Sequence, residues 1–445
     1  MNRITIITMI ISMCPASLAW SQSAQIPAPP QSQPIILHNG TIHTVGGGEI
    51  EKGFIRFEEG VIVEIGSVDD LDADGLGDRV QVFDASGLHV YPGLISSETT
   101  LGLTETGSVD VTQDSREIGD FTPEVRAVVA VNPDTDLIPV TRANGILIGL
   151  TFPEGGIVAG RCSAIRFDGW TWEDMTIDAT VGMVINWPRT EPVNARWMRT
   201  SAAEQMKRIE ENLSAIDDFF DHAENYTEAK AAEETFDTDL RYEAMRPVLE
   251  GEMPVFVRAN SAGQIESAVS WAVERGLKVV IVGGSEANEA IPILRKHDVP
   301  VIIGGIHRLP SRRHDAYDAP FTLPNELYEA GVRFSIATAG EAPHERNLPY
   351  MAATAAAYGL PRHEALKSVT LSAADILGIS DRYGSLDIGK SATLIVTTGD
   401  PLEVTTDTVM AFIDGRRIDL GSRHKRLYQK YMEKYRQLEN AADGE

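Results

Sequence analysis

Cysteine is nearly absent: Cys14 and Cys162 are the only two in 445 residues. A disulfide-held scaffold is thereby excluded. Histidine is also sparse, ten in all, and nowhere do two stand as His-x-His. Positive charge is short, with 39 Lys and Arg against 65 Asp and Glu and a formal net charge of −26. Such a surface repels nucleic acid and anionic membrane, so neither is an expected partner. It suits solubility in a salty or extracytoplasmic medium. No Gly-x-Ser-x-Gly elbow occurs, and no Gly-rich nucleotide loop follows a strand in the right context.

Long apolar runs are missing too. "ITIITMIISM", after Arg3, is too short to span a bilayer comfortably. Small residues at Ser17 and Ala19, with Ala24 as a second cut, make residues 1–24 read as a secretory signal peptide. Met13 before Cys14 is too bulky for a lipoprotein signal. A periplasmic or secreted protein without a stable membrane anchor is expected. Cys162, in the alternating "VAGRCSAIRF", then remains as a buried strand residue.

What is present is ordinary globular material, 43% hydrophobic and 23% charged. Residues 25–34, containing "IPAPPQSQP", form a Pro-rich tether. Residues 35–91 and 380–420 read as short strands with tight turns at Asn39-Gly40 and Asp414-Gly415. Two β-rich pieces at opposite ends predict a composite β-sandwich. Between them, residues 92–379 alternate near-continuous apolar runs ("GILIGLTF", "VGMVINW", "MPVFVRA", "LKVVIVGG", "VPVIIGG", "VRFSIATA") with amphipathic segments. That pattern predicts an α/β fold with a parallel sheet covered on both faces, closed as a (β/α)₈ TIM barrel. Residues 201–250 read as a helical insertion with acidic faces. Residues 421–445 read as a terminal amphipathic helix with Leu427, Tyr431 and Tyr435 on one stripe. The stripe is expected to dock on its own barrel or on a neighbouring subunit.

"PGLI" before a polar cluster, "TPEVRAVVAVNP", "ALKSVTLSAADILGISDRYGSL", "GSLDIGKSATLIV", "GDPL" and "FIDGRRI" occur in that chain order. Nearly all of the chain after the signal thereby resembles the amidohydrolase superfamily, most closely its imidazolonepropionase-like branch. The resemblance implies metal ions at the C-terminal mouth of the barrel, a metal-activated water and an aspartate that moves its proton. It also implies Asp-x-His-x-His at the end of the first strand, where this chain has Ser96, Glu98 and Thr100. Arg258 and Asn260 stand at the fifth strand, Gly283 at a histidine position and Ala339 at the aspartate position. Glycine and alanine carry no donor, so no metal ligand is assigned and no cofactor is expected.

Three polar groups remain for the mouth. Glu98, with Thr100 and Glu105, offers an acid, a base or an anchor, or simply a carboxylate paired with Arg258. "GGIHRLPSRRHDAYDAP" gathers His307, Arg308, Arg312, Arg313 and His314, a set able to hold an anionic ligand, an interface or only solvent. "GEAPHERNLPY" adds His344 near Glu345 and Arg346. The favoured expectation is an exported protein of this fold that does not hydrolyse by the usual metal route. It would act as a partner subunit or binding protein, with a metal-bearing paralogue or a second copy as partner. One alternative is a hydrolase of carbon–nitrogen bonds in small or cyclic amides. It would use Glu98, His307 and His314 as catalytic groups, and only in that reading is zinc admitted. The other is a periplasmic binder of an anionic small molecule, using Thr100, Arg258, Asn260, Arg308, Arg312, Arg313 and His344.

Overall fold

A computed structural model describes residues 25–71, 79–194, 198–232, 237–340 and 342–442. The signal expected over residues 1–24 lies outside the described residues. Strands β1 (Ile35–His43), β2 (Glu49–Glu58), β3 (Val61–Ser67), β4 (Gln81–Asp84) and β5 (His89–Pro92) come from the N-terminal part. The barrel follows with β6 (Leu94–Thr99), β7 (Ile146–Thr151), β8 (Val158–Arg166), β9 (Thr176–Asn186), β10 (Val255–Ala259), β11 (Val279–Gly283), β12 (Val301–Gly304) and β13 (Phe334–Ala337). Strands β14 (Leu394–Thr397), β15 (Thr408–Ile413) and β16 (Arg416–Arg417) return to the first sheet.

That sheet runs β16-β15-β14-β5-β1-β2-β3, with β4 beside β1. Both ends of the chain therefore build it. It is one sheet curled over its own core rather than two stacked layers. Phe57 on β2 meets Phe412 on β15 edge to face at 5.1 Å, although three strands separate them in the sheet. Asn39-Gly40 is not the hairpin turn the dipeptide predicts. It kinks β1 in place: Asn39 takes φ 65° and the register with β2 shifts on either side of Gly40. Asp414-Gly415 does turn, at φ 47° and 71°, joining β15 to β16.

The barrel sheet follows chain order from β6 to β13. Seven strands are parallel, but β8 runs antiparallel to both β7 and β9. This departs from an eightfold β/α repeat, and the link explains it. Only residues 152–157 join β7 to β8, and Gly155 and Gly156 turn there at φ 86° and 62°. A parallel crossover needs roughly a dozen residues. At the seam between β6 and β13, Ser97 and Ser335 hydroxyls meet at 2.9 Å.

The segment expected as an insertion is helical over Ala202–Ala232 and Leu240–Leu249. It belongs to the barrel's outer layer, because Phe220 packs edge-on against Trp271 of the crossover helix Ala262–Glu274 at 4.8 Å. Beyond its first turn the terminal helix Arg423–Ala442 does not dock on the barrel. Every side chain from 423 to 440 is exposed.

Candidate ligand site at the barrel mouth

A cavity of about 770 Å³ opens at the carboxyl ends of the barrel strands, lined on one side by Glu98, Glu154, Arg258 and Asn260. His307, Arg308 and His344 line the other side. Parallel strands direct their last side chains to this end, which is why β6 and β10 supply its first two charges.

Glu98 is 5% exposed, and Arg258 Nη2 lies 3.2 Å from its Oε1. Burial raises the Glu98 pKa from its ordinary value, and the Arg258 guanidinium opposes that rise. Arg258 also stands over the Phe152 ring, 5.3 Å from its centroid, and donates to Pro153 O. The guanidinium is thus held from three sides, over the floor of the mouth. Thr100 does not line the cavity, and its hydroxyl donates to Gly340 O.

Sequence reasoning passed over Glu345 as an active group. It is fully buried, accepts from Thr338 Oγ1 at 2.9 Å, and leaves Oε1 without a hydrogen-bond partner. Burial raises its pKa to about 7, and the Glu98 charge adds to the rise, while hydroxyls of Ser96, Thr99 and Thr338 oppose it. Nothing in the short stretch "PHERNLP" distinguishes this carboxylate from a solvent-facing one. Only the short helix Ala342–Asn347, folding back against the end of β6, buries it.

The loop after β12 divides the residues grouped there. His307 lines the cavity, its Nε2 is 2.8 Å from Thr354 Oγ1, and burial lowers its pKa. Arg308 lines it too, donating to Ser285 O at 3.2 Å and Ser311 Oγ at 3.2 Å. Its Nε is buried without a hydrogen-bond partner. Arg312, Arg313 and His314 do not reach the cavity. Arg312 is drawn outward by Glu286 at 2.7 Å and Glu289 at 2.9 Å. Arg313 is exposed, and His314, also exposed, leans towards Asp315 at 3.8 Å. A joint His307–His314 site is therefore not assembled. Glu105 is engaged elsewhere, accepting from Thr135 Oγ1 at 2.7 Å and Asn132 Nδ2 at 3.1 Å.

The amidohydrolase family model matches residues 321–419. The chain is 24% identical over 399 residues to the amidohydrolase tasK of Hapsidospora irregularis, covering 82% of this chain and 39% of that protein. The matched domain and this relative together support membership of the amidohydrolase superfamily. This chain thus spans about two-fifths of the length of that curated relative. Among solved structures, an amidohydrolase from Thermotoga maritima superposes with a TM-score of 0.75 at 24% identity, covering 86% of this chain and 99% of that one. A Xaa-Pro dipeptidase with methionine bound in its active site superposes with a TM-score of 0.53 at 15% identity, covering 87% and 100%. These likenesses match the barrel and the separate sheet.

The superfamily implies a metal at this mouth, and the side chains present do not fit one. Among the described residues no group of three or more His, Cys, Asp or Glu is placed to hold a metal ion. The strand-end carboxylate Glu98 is already engaged by a fixed cation, whose charge would repel a second. Asn186 closes β9, fourth along the sheet, and its amide donates to Gly155 O and Gly156 O. At Gly283 the backbone itself is committed. It sits at φ 96°, and a Cβ there would meet Asn260 Oδ1 at 2.5 Å. Ala339, at the aspartate position, takes φ 65°.

Proposed function

We propose that this chain is an exported, metal-independent member of the amidohydrolase superfamily whose mouth cavity binds a small anionic molecule. It acts as a binding protein or as a partner subunit, beside a metal-bearing relative or a second copy. It has a pseudoenzyme's frame of the imidazolonepropionase-like kind, with the metal ligands lost. The observation that carries the reading is Arg258 seated on Glu98. A pair of a half-buried guanidinium and a buried carboxylate stands where the superfamily resemblance implies metal ions. Arg308 supports the anionic ligand. It lines the cavity, and its hydrogen bonds go to two carbonyls, Leu309 O and Ser285 O, and to the Ser311 hydroxyl rather than to a carboxylate. A ligand carboxylate or phosphate would supply charge-assisted partners for it.

The test combines two measurements on native-purified protein. Elemental mass spectrometry for Zn, Mn, Fe and Ni is expected to give below about 0.1 equivalents. A thermal-shift screen of amino acids, N-acyl amino acids and inorganic phosphate is expected to yield a stabilising anion whose effect Arg308→Ala removes. Near one equivalent of metal, lost in Glu98→Gln, would overturn the reading.

Glu345 favours one second reading, a hydrolase of carbon–nitrogen bonds in small amides. A buried carboxyl titrating near neutrality beside Glu98 has the properties of a general acid–base group. Turnover of a cyclic-amide panel that Glu345→Gln abolishes and chelators leave intact would select it.

A further inference from the structure

The terminal helix Arg423–Ala442 presents a face that none of the described residues covers. Its first turn is tied down, with Arg423 and Arg426 3.9 and 3.8 Å from Asp136 and Ser422 Oγ accepting from Lys425 N. Beyond that turn the helix projects. Leu427, Tyr428, Tyr431, Met432, Tyr435 and Leu438 are between 42% and 66% exposed. Together they leave on the order of 600 Å² of largely apolar surface, at the upper end of what a lone subunit normally shows.

The spacing points to another helix as the cover. His424, Tyr428, Tyr431, Tyr435 and Leu438 follow one another at alternating intervals of four and three residues. This is the seam of a coiled coil. The charges fit a parallel pair of identical helices. Lys434 flanks the seam on one side and Glu439, five residues on, flanks it on the other. That interval sets each residue opposite its counterpart in a parallel two-stranded coil. One heptad earlier the same two places hold Leu427 and Met432, which widen the apolar strip. Arg423, Arg426, Lys430 and Arg436 fall away from the seam, and Arg436 is held by Glu433 at 2.8 Å. Two such faces would remove about 1,200 Å², the lower bound for a specific interface.

We propose that this helix is a dimerisation element that pairs in parallel with the same helix of a second copy. Anionic lipid is the competing cover for a basic amphipathic helix. The placement of charge disfavours it, because Glu439 borders the apolar strip and the body of the chain is strongly acidic. The proposal does not rest on the mouth cavity, so the two readings fail independently.

Sedimentation equilibrium of the purified chain, over about 1 to 100 µM, is expected to show a dimer. Tyr431→Glu with Tyr435→Glu should give a monomer of unchanged melting profile, since both side chains are solvent-exposed in the subunit. Lys434→Glu should weaken association about tenfold, by turning two attractive contacts repulsive. Adding Glu439→Lys should restore it. A native chain that stays monomeric throughout overturns the proposal, as does a dimer that survives the double tyrosine substitution or a charge swap that restores nothing. A monomer that instead co-sediments with phosphatidylglycerol vesicles, and stops doing so in Tyr435→Glu, assigns the face to lipid and overturns it equally.

Discussion

Replacing Glu345 by glutamine tests the electrostatics of the mouth most directly. The unfolded carboxyl titrates near 4.5 and the folded one is raised to about 7. Between those values the folded state keeps a proton that the unfolded state has lost, so stability falls as pH rises. The contribution is fully present below about pH 4.5, declines through the window, and is constant again above about pH 7. A gap of about two and a half pH units, at about 1.4 kcal/mol each, makes about 3 to 4 kcal/mol in all. About 2 to 3 kcal/mol of it falls between pH 5 and pH 8. Glutamine keeps the acceptor for Thr338 Oγ1 but cannot ionise. Other titrating groups cancel when the two proteins are compared at the same pH. Urea unfolding followed by tryptophan fluorescence at pH 5, 6, 7 and 8 should therefore show the variant gaining about 2 to 3 kcal/mol on the native protein across that range. Parallel stability curves would refute the reasoning, because they would mean that Glu345 ionises as freely folded as unfolded.

Other outcomes follow from the same geometry. Arg258→Met leaves Glu98 buried without its cation and should cost about 3 kcal/mol at pH 8, with Glu98→Gln in the same background recovering most of it; paired melting curves decide. Arg308→Ala should lower affinity for the stabilising anion at least about tenfold while Arg313→Ala leaves it unchanged, as read by calorimetric titration. Gly283→His should cost about 2 to 4 kcal/mol and still bind no zinc, because φ 96° and the approach of Asn260 Oδ1 oppose any side chain. A stable, zinc-loaded Gly283→His protein would show that the backbone there is not committed.

The barrel was legible because its signals are local. Each apolar run from "GILIGLTF" to "VRFSIATA" became a barrel strand, and "VAGRCSAIRF" became the buried strand β8 that carries Cys162. The direction of β8 was not legible from that run alone. It depends on the six-residue link at Gly155 and Gly156, a matter of connection length rather than periodicity. At the site, the Glu98–Arg258 contact followed from placing both residues at strand ends. The split between His307 with Arg308 and Arg312 with His314 did not, since all four lie within eight residues and only the pull of Glu286 and Glu289 separates them. Glu345 was invisible for the opposite reason. Its burial comes from β6 and β13, remote in sequence, and no local pattern announces it.

The Glu98–Arg258 pair also bears on what chemistry the mouth can still perform. A guanidinium can take over part of a metal's structural role, because it neutralises the strand-end carboxylate and, over Phe152, is fixed without one. It cannot take over the chemical role. Arginine stays protonated and offers only directional N–H donors, so it does not convert a bound water into hydroxide near neutral pH as a Lewis-acidic ion does. Turnover drawing its proton transfers from Glu345 or His307 would follow their titration. A rate that rises as Glu345 ionises through about pH 7 and is insensitive to chelators would be the signature of such an enzyme. Saturable anion binding with no turnover at any pH from 5 to 9 would leave the cavity as a receptor built on a hydrolase frame.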